Sequence, residues 1–390
     1  MTSLGIYVQV PFCQTKCTYC NFHTGVVASS RFGPYVSAVC REIQRHADLY
    51  RAAGIDLPAG AADGARPDTV YIGGGTPSLL DPAHLQNILD TIRATFSCDL
   101  REVTLEADPE TIEAEKAAAW ARAGINRVSF GVQSFSDHEL VASGRMHRRA
   151  DIYRAVPILR EAGIANIGFD LIAGLPLQTR ESWRDSLQRL TELAPEHVSV
   201  YILEVDEKSR LGSELLKGGQ RYNAGAVPTE DEMAEFYELA QASLAAAGYH
   251  HYEISNWARP GFESRHNLKY WRRGPYLGFG AGAHSFSGAQ RWANAHDAAS
   301  YVQALESGSL PVEQLERLTP EAALEEELFL GLRQLDGIDV SRIEKDYAVT
   351  LASRFDPLAS SGLLEWNGPV VRLAPARLSV SNEVFVELMR

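Results

Sequence analysis

Residues 4–20 read LGIYVQVPFCQTKCTYC, an apolar run that leads directly into three closely spaced cysteines. The run predicts a buried strand that ends before Pro11, because apolar residues dominate it and proline interrupts strands. Cys13, Cys17 and Cys20 then follow with C-x3-C-x2-C spacing. Three thiols in one short loop predict a shared metal or cluster site, since thiolates are strong ligands for soft metals.

Strand and helix patterns alternate after this loop. Further strands are predicted at residues 68–72, 102–106, 127–131, 166–170 and 197–203, and helices at residues 32–52, from Asp81-Pro82 onward, and at 111–122, 136–142, 151–162 and 180–193. Six strand–helix units in series predict a parallel sheet with helical crossovers. An open doubly wound sheet and a partial barrel share this element order, so the pattern alone leaves both folds as alternatives.

The second half of the chain is organised differently. Stretches rich in small residues near 54–67 and 211–228 predict loops, and a boundary in the latter divides the chain into domains 1–215 and 216–390. A capping box at Thr229 and Glu232 and a second helix start at Thr319-Pro320 predict helices that extend to about residues 247 and 335. With a β-ribbon predicted at residues 363–373, these elements indicate a C-terminal α+β domain.

The chain has 390 residues, a hydrophobic content of 45% and a formal net charge of −13. This composition excludes a disordered or disulfide-stapled chain, and the acidic balance disfavours binding to nucleic acid. Neither a signal peptide nor an apolar run of spanning length is visible, so we expect a cytoplasmic protein with reduced thiols. Cys40 and Cys98 are expected to pack as small apolar side chains.

Polar residues follow each predicted strand. Ligands of parallel α/β folds bind at the carboxyl ends of the strands, so these residues are expected to share one rim. They are the three cysteines, the glycine loop Gly73-Gly74-Gly75-Thr76-Pro77, Glu106, Gln133, Arg145, Asp170 and the segment 201–204. Glycines admit close approach of a ligand, carboxylates suit ribose hydroxyls, and a guanidinium suits a carboxylate. A ligand with an amino acid end and a ribose end fits this set.

Two kinds of metal group fit the three cysteines. Zinc would need a fourth ligand, and His23 is near enough in sequence to supply it. An iron–sulfur cluster held by three thiolates would keep one iron without a protein ligand. The ligand expected at the rim could occupy that open position.

The cysteine spacing behind an apolar strand, with a glycine loop after the next strand, resembles the radical S-adenosylmethionine superfamily. Within it, the chain resembles the oxygen-independent coproporphyrinogen oxidase family over nearly its whole length. The motifs that carry this resemblance are Tyr7, Pro11-Phe12, the glycine loop, Glu106-Ala107-Asp108-Pro109, Gly131-Val132-Gln133-Ser134-Phe135 and Asp170-Leu171-Ile172-Ala173-Gly174-Leu175-Pro176. The family fold is a partial (β/α)6 TIM-like barrel, which decides between the two alternatives.

The resemblance also implies roles for individual residues. Cys13, Cys17 and Cys20 would ligate a [4Fe–4S] cluster, and an electron from the cluster would cleave S-adenosylmethionine to give a 5′-deoxyadenosyl radical. The residues that would contact S-adenosylmethionine are Tyr7, Tyr19, Gly74, Gly75, Thr76, Glu106, Gln133, Arg145 and Asp170, with Glu204 as a weaker match.

The family has two branches, and two features of one branch that are not found in this chain distinguish them. The oxidase, which converts coproporphyrinogen III to protoporphyrinogen IX by oxidative decarboxylation, has a fourth cysteine two residues after the third and a longer N-terminal extension. Here Phe22 stands at that position and the first strand begins at Leu4. Both differences favour the haem-chaperone branch. Porphyrinogen oxidation stays the alternative, so the sequence leaves enzymatic activity open.

The segment His266-Asn267-x-x-Tyr270-Trp271 matches the HNxxYW motif of the chaperone branch. It implies haem as bound cargo, with His266 as iron ligand and the aromatic side chains stacked on the macrocycle. Other candidates for contact are the arginines Arg265, Arg272 and Arg273 for the propionates and the histidines His250, His251 and His284 as rival ligands. A histidine beside aromatic residues is also typical of a hydrogen-bonded core.

The remaining expectations concern partners and surface. The resemblance implies that haem-requiring proteins accept the cargo, some of them at a membrane surface. It also implies an electron donor such as a flavodoxin or an NADH-linked reductase, and it is compatible with a homodimer. The acidic run Glu325-Glu326-Glu327 is expected to be a solvated helix face.

Overall fold

The computed structural model describes residues 4–58 and 66–388. Part of the loop predicted near residues 54–67, residues 59–65, lies outside these ranges. In the first half, the strands are β1 (Leu4–Val10), β2 (Pro67–Gly74), β3 (Glu102–Ala107), β4 (Arg127–Gln133), β5 (Asn166–Ala173) and β6 (His197–Ile202). The helices are α1 (Phe32–Ala52), α2 (Pro82–Thr95), α3 (Ala114–Ala123), α4 (Asp137–Ala142), α5 (Arg149–Glu161) and α6 (Arg180–Leu193).

The order of these strands in the sheet decides the fold. Neighbours follow the chain from β1 to β6 without reversal, and every neighbouring pair is parallel. A doubly wound sheet reverses its strand order at a switch point, whereas a barrel wall keeps sequential order. The prediction of a partial (β/α)6 barrel is therefore confirmed.

Side chains alternate along the strands between an apolar outer face and a polar inner face. Val70 and Phe130 on the outer face belong to one buried core with helix residues such as Trp120. Glu106 and Asp170, in contrast, point inward and line a cavity. Because successive side chains of a strand point to opposite faces, the same strands supply both the hydrophobic core and the polar lumen.

The second half of the chain extends the sheet of the barrel at both edges. Its strands are β7 (His250–Glu253), β8 (Asn256–Ala258), β9 (Tyr276–Phe279), β10 (His284–Phe286), β11 (Gln290–Asn294), β12 (Val312–Arg317), β13 (Ile338–Asp339), β14 (Leu364–Asn367) and β15 (Val370–Leu373). Its helices are α7 (Arg210–Leu216), α8 (Glu230–Ala246), α9 (Arg265–Trp271), α10 (Ala298–Glu306), α11 (Pro320–Gly331), α12 (Val340–Tyr347), α13 (Ala352–Ser360) and α14 (Ser381–Leu388).

Strand β9 pairs in parallel with β1, and β8 pairs antiparallel with β6. In the described residues the sheet has twelve strands, and β13, β15 and β14 form a separate ribbon. The boundary predicted between residues 215 and 216 stays a prediction for the domains, but the sheet crosses it. Within the described ranges, no helix is both long and apolar enough to cross a membrane.

The loop predicted near residues 211–228 is wrong in part. The segment contains most of α7 and a 3-10 helix at Arg221–Ala226. The Ser209 hydroxyl accepts a hydrogen bond from the Gly212 amide and caps α7. Leu211 is buried in a small cluster with Leu175 and Leu203. This tertiary burial and the cap outweigh the low helix propensity of the glycines in this stretch.

Helix α9, which carries the HNxxYW motif, packs beside the amino ends of the barrel strands. The Glu102 carboxylate accepts hydrogen bonds from the backbone amides of Arg265 and His266, both at 3.0 Å. Glu102 begins β3 and is 3% exposed, so this cap joins a barrel strand to the first turn of α9. It satisfies two amides that the helix itself leaves unpaired.

We expect Glu102→Gln to lower the free energy of unfolding by about 1–2 kcal/mol, because one amide loses its acceptor and the charge at the helix N-terminus disappears. Urea unfolding followed by circular dichroism measures this change. Glu325→Gln, on the exposed side of α11, is the matched control and should leave the midpoint in place. Equal midpoints for the two variants would contradict a capping role for Glu102.

Candidate functional site

The loop between β1 and α1 carries the three cysteines, and backbone hydrogen bonds tie it to several elements. The Cys13 amide donates to the Gly25 carbonyl at 3.1 Å, and the Thr18 amide donates to the Ser143 carbonyl at 3.0 Å. Cys17 is buried, whereas the other two thiols are partly exposed, and none forms a disulfide. The loop is thus held in place by the chain and keeps its thiols available as ligands.

This loop closes one end of a cavity of about 1160 Å³ inside the barrel. The sequence-predicted residues that line it are Cys13, Cys17, Tyr19, Cys20, Gly74, Gly75, Thr76, Glu106, Gln133, Arg145, Asp170 and Glu204. Ligand sites commonly have volumes of about 300–1,000 Å³, so a nucleoside joined to an amino acid has ample room. The donor set of three thiols beside this space fits an iron–sulfur cluster.

The glycine loop makes room for the protein's own atoms. A Cβ on Gly75 would lie 2.5 Å from the Phe12 carbonyl oxygen, and a Cβ on Gly74 would overlap the Gln9 side chain. The Thr76 amide also donates to the Phe12 carbonyl at 2.7 Å. The sequence interpretation, in which the glycines admit a ligand, therefore misses one function of the loop. The glycine loop also brings the backbone after β2 into contact with Phe12, the residue that precedes Cys13.

Two half-buried carboxylates, Glu106 and Asp170, project into the cavity. Glu106 accepts hydrogen bonds from the Gly74 amide at 2.8 Å and from the Tyr71 hydroxyl at 2.9 Å. Burial raises the pKa of Glu106 to about 7 despite these bonds. Asp170 accepts from the Ser129 hydroxyl at 3.1 Å, and burial raises its pKa as well. Each carboxylate keeps acceptor capacity for a hydroxyl or ammonium group of a ligand.

Arg145 links the cysteine loop to the strand ends. It forms an ion pair with Asp108, donates to the Gly131 carbonyl at 2.9 Å, and its Nη1 lies 3.6 Å from Cys17 Sγ. The Asp108 carboxylate orients this guanidinium. The sequence analysis identified Asp108 only as part of a motif and gave it no role.

Gln133 has a backbone φ of 64° where β4 loses its register with β5. This left-handed conformation is uncommon for residues other than glycine, and such strain clusters at functional sites. The side chain of Gln133 lines the cavity, as the sequence predicted. The strained backbone is a second observation that marks this residue.

A segment that the sequence did not connect with the site also lines the cavity. Residues 378–383, at the end of a 3-10 helix and the start of α14, contribute to its wall. Nothing in the local sequence of this segment indicates such a role, because its position depends on the packing of the C-terminal elements.

Tyr7 and His266 do not line this cavity. The Tyr7 hydroxyl donates to Gln9 Oε1 at 2.5 Å, and both residues face a neighbouring cleft. His266 is fully buried, with Nδ1 hydrogen-bonded to the Thr69 hydroxyl at 2.9 Å and Nε2 to the Tyr270 hydroxyl at 2.8 Å. Burial lowers the pKa of His266 to about 3, so its ring is neutral at physiological pH. Haem iron would reach it only after these contacts broke.

His23, the alternative fourth ligand for zinc, is exposed. Its ring stacks on the His296 ring with centroids 4.1 Å apart. Among residues 4–58 and 66–388, no three His, Cys, Asp or Glu side chains are arranged to hold a single metal ion.

Comparisons with known proteins agree with this geometry. Residues 7–190 match the Radical SAM superfamily model, and residues 318–376 match the model of the HemN C-terminal domain. The barrel and its cysteine loop thus define a radical SAM protein. The solved structure of coproporphyrinogen III oxidase (HemN) from Escherichia coli has the same fold, with a TM-score of 0.83 and 24% identity over 99% of this chain and 90% of that one.

Two relatives narrow the assignment. The chain is 35% identical over 385 residues to the haem chaperone HemW of Bacillus subtilis, which covers 97% of both chains. It is 36% identical over 371 residues to HemW of Synechocystis, which covers 92% of this chain and 85% of that relative. The chain belongs to the HemN/HemW family of radical SAM proteins and is most like HemW.

Proposed function

We propose that the protein is a cytoplasmic haem chaperone that binds a [4Fe–4S] cluster and S-adenosylmethionine, holds haem, and passes it to haem-requiring proteins. The relatives named as haem chaperones, similar over more than nine-tenths of this chain, support the proposal. Coproporphyrinogen dehydrogenase activity is the second candidate, and the shared fold with the Escherichia coli oxidase favours it.

The charge of the cavity is the observation that favours the chaperone over the dehydrogenase. Eight carboxylate side chains line it, against three cationic side chains, Lys16, Arg145 and Arg333. S-adenosylmethionine bears a sulfonium and an ammonium against one carboxylate, so an acidic lumen attracts it. Coproporphyrinogen III bears four carboxylates, which this lumen would repel. The electrostatics therefore support cofactor binding in the cavity without a porphyrinogen beside it.

The residues divide into groups by their chemistry. In the proposal, the three cysteines bind the cluster through three of its irons. Arg145 pairs with the ligand carboxylate, while Glu106 and Asp170 accept hydrogen bonds from its ammonium and ribose hydroxyl groups. Tyr19, Gly74, Gly75, Thr76 and Gln133 complete the contacts. When bound, the cluster supplies the electron that reductive cleavage of S-adenosylmethionine requires.

Phe22 supports the chaperone over the oxidase. It occupies the position of the oxidase's fourth cysteine, and the residue is 66% exposed where it lines the cavity. A phenyl ring neither ligates iron nor transfers protons. The oxidase branch carries a thiol at this position. This chain therefore lacks a thiol group that the oxidase branch has beside the three cluster cysteines.

The partners belong to the proposal as well. Haem acceptors would dock where cargo is released, some of them at a membrane surface, and a flavodoxin or an NADH-linked reductase would reduce the cluster. A homodimer is a further expectation, with size-exclusion chromatography coupled to light scattering as its direct measurement. The net charge of −13 disfavours nucleic acid as a partner.

A paired assay separates the two functions. The cluster is reconstituted anaerobically, and the protein is then incubated with coproporphyrinogen III and S-adenosylmethionine, or titrated with haem. We expect a stoichiometric haem complex with its own Soret band and no protoporphyrinogen IX above the cluster-free control. Catalytic formation of protoporphyrinogen IX would overturn the chaperone proposal, and so would the absence of haem binding.

A further inference from the structure

A second cleft, of about 360 Å³, lies beside the cofactor cavity. Tyr7 and Gln9 of β1 form one wall, and the inner face of the sheet continues past them through β9 and β10. Tyr270 and Trp271 at the end of α9 form the opposite wall with Leu330 of α11. The side chains of β1 thus contribute to this cleft, here called the lateral cleft, and not to the lining of the chamber that the cysteines close.

The walls of the lateral cleft are rich in aromatic rings. Tyr276 from β9 packs edge-on against Tyr270, with ring centroids 4.7 Å apart and an interplanar angle of 81°. The centroids of the Tyr276 and Phe286 rings are 6.4 Å apart. Trp271 lies within the same lining. Rings in several orientations around one opening provide faces and edges for a flat, apolar macrocycle.

Two guanidinium groups line the cleft, and carboxylates of α11 pair with both. Arg273 and Arg291 both pair with Glu326, at 3.2 and 2.6 Å. The expectation of a solvated run at 325–327 is therefore wrong for Glu326 and Glu327, since arginines distant in sequence pair with both. Arg273 has a left-handed backbone, with φ of 49°.

Two buried donors in this lining have no acceptor among the described residues. They are Arg273 Nη2 and Trp271 Nε1. The Arg273 side chain is only 11% exposed, and buried donors in proteins are normally paired. Both atoms are covered by protein, so a ligand carboxylate would pair with them once these side chains turned toward the cleft. Haem carries two propionates.

His284 stands in the same lining at the start of β10 and is exposed. No described residue forms a hydrogen bond to its ring. His266, in contrast, is fully buried with both ring nitrogens engaged by Thr69 and Tyr270. An iron ligand needs a free imidazole nitrogen, and His284 offers one without any rearrangement.

We propose that the lateral cleft seats haem by one edge, with His284 as the axial ligand to iron and with Arg273 and Arg291 facing the propionates. The inference rests on the proposed haem-carrier function and names its site. In this arrangement the HNxxYW motif contributes Tyr270 and Trp271 to the wall, while His266 positions Tyr270. A cleft at the small end of the usual range for ligand sites leaves the far edge of the macrocycle outside, where an acceptor can take it.

The test is a titration of the cluster-loaded protein with haem, followed by the Soret band and by electron paramagnetic resonance of the ferric complex. We expect His284→Ala to weaken haem binding about tenfold or more, because the bond to iron is lost. His284→Cys should restore binding with the spectrum of a thiolate-ligated haem, which a structural role could not produce. His250→Ala, on the far edge strand β7, is the matched control and should bind like the unsubstituted protein.

The propionate contacts have their own test. Arg291→Gln should weaken binding of haem severalfold while leaving the affinity for haem dimethyl ester unchanged, since the ester lacks the charges that the guanidinium pairs with.

If His284→Ala binds haem with unchanged affinity and spectrum, the site is overturned and the carrier function stands. If the unsubstituted protein binds no haem, the carrier function itself is overturned. His266→Gln loosens Tyr270 in the cleft wall, so it should lower the affinity for haem severalfold while the ferric complex keeps the electron paramagnetic resonance spectrum of a histidine-ligated haem. Loss of that histidine signature in this variant, with the signature kept in His284→Ala, would return the ligand role to His266.

Discussion

Cys17→Ser should remove the iron–sulfur cluster completely, with iron falling from about four atoms per chain to near zero after anaerobic reconstitution. Cys17 is the middle cysteine of the loop and the most buried of the three, at 9% exposure. A serine hydroxyl at this position stays protonated and is a hard, weak ligand, so it cannot replace a thiolate. The neighbouring Thr18 amide is tied to Ser143, which prevents the loop from bringing another group into place.

Cys40→Ser is the matched control for this experiment. Cys40 lies in α1 with 7% exposure, so the same substitution buries a hydroxyl to the same degree away from the loop. We expect this variant to keep its full iron content and its cluster absorbance. A Cys17→Ser protein with a complete cluster, or a Cys40→Ser protein without one, would reject the ligand assignment.

Gly75→Ala should disrupt the same site without removing any ligand. The new methyl group would lie 2.5 Å from the Phe12 carbonyl oxygen and 2.9 Å from the Phe12 amide nitrogen. Neither backbone atom can move away as a flexible side chain would, so the residue before Cys13 must shift. Overpacking of this kind typically costs about 1–3 kcal/mol, and here the strain falls on the cysteine loop. Cluster content and affinity for S-adenosylmethionine should both fall at least severalfold.

Gly25→Ala provides the comparison. Gly25 exchanges backbone hydrogen bonds with Cys13 and Pro11 on the same loop, yet a Cβ there meets nothing within 4 Å. Iron analysis and equilibrium dialysis with labelled S-adenosylmethionine should therefore give values for Gly25→Ala close to those of the unsubstituted protein. If both glycine variants behave alike, the close approach at Gly75 has no role in shaping the site.

Much of the candidate site could be predicted because its determinants are local. The cysteine spacing lies within one loop, and the period of apolar residues identifies the strands that precede Glu106 and Asp170. In parallel folds the ends of such strands meet at one rim, so residues distant in sequence can be grouped without coordinates. The choice between barrel and doubly wound sheet came from the family resemblance, since strand order is a tertiary property.

The features that escaped prediction all depend on contacts between distant elements. Glu326 belongs to an acidic run, and only the fold shows that Arg273 and Arg291 converge on it. Residues 378–383 reach the cavity wall through the packing of the C-terminal ribbon and helices. His266 has the sequence context of a ligand, but its burial and its two hydrogen bonds follow from the place where α9 meets the barrel.

The continuity of the sheet has a consequence for how such proteins can diversify. Strand β1 has a partner from the second half on one side, β9, and β6 has another, β8. Removal of the second half would expose two unpaired strand edges, which promote aggregation. A second half taken from a relative would have to supply strands that match both edges. Side-chain substitutions on the shared inner face need no such match, so they are the simpler route to a new cargo or acceptor.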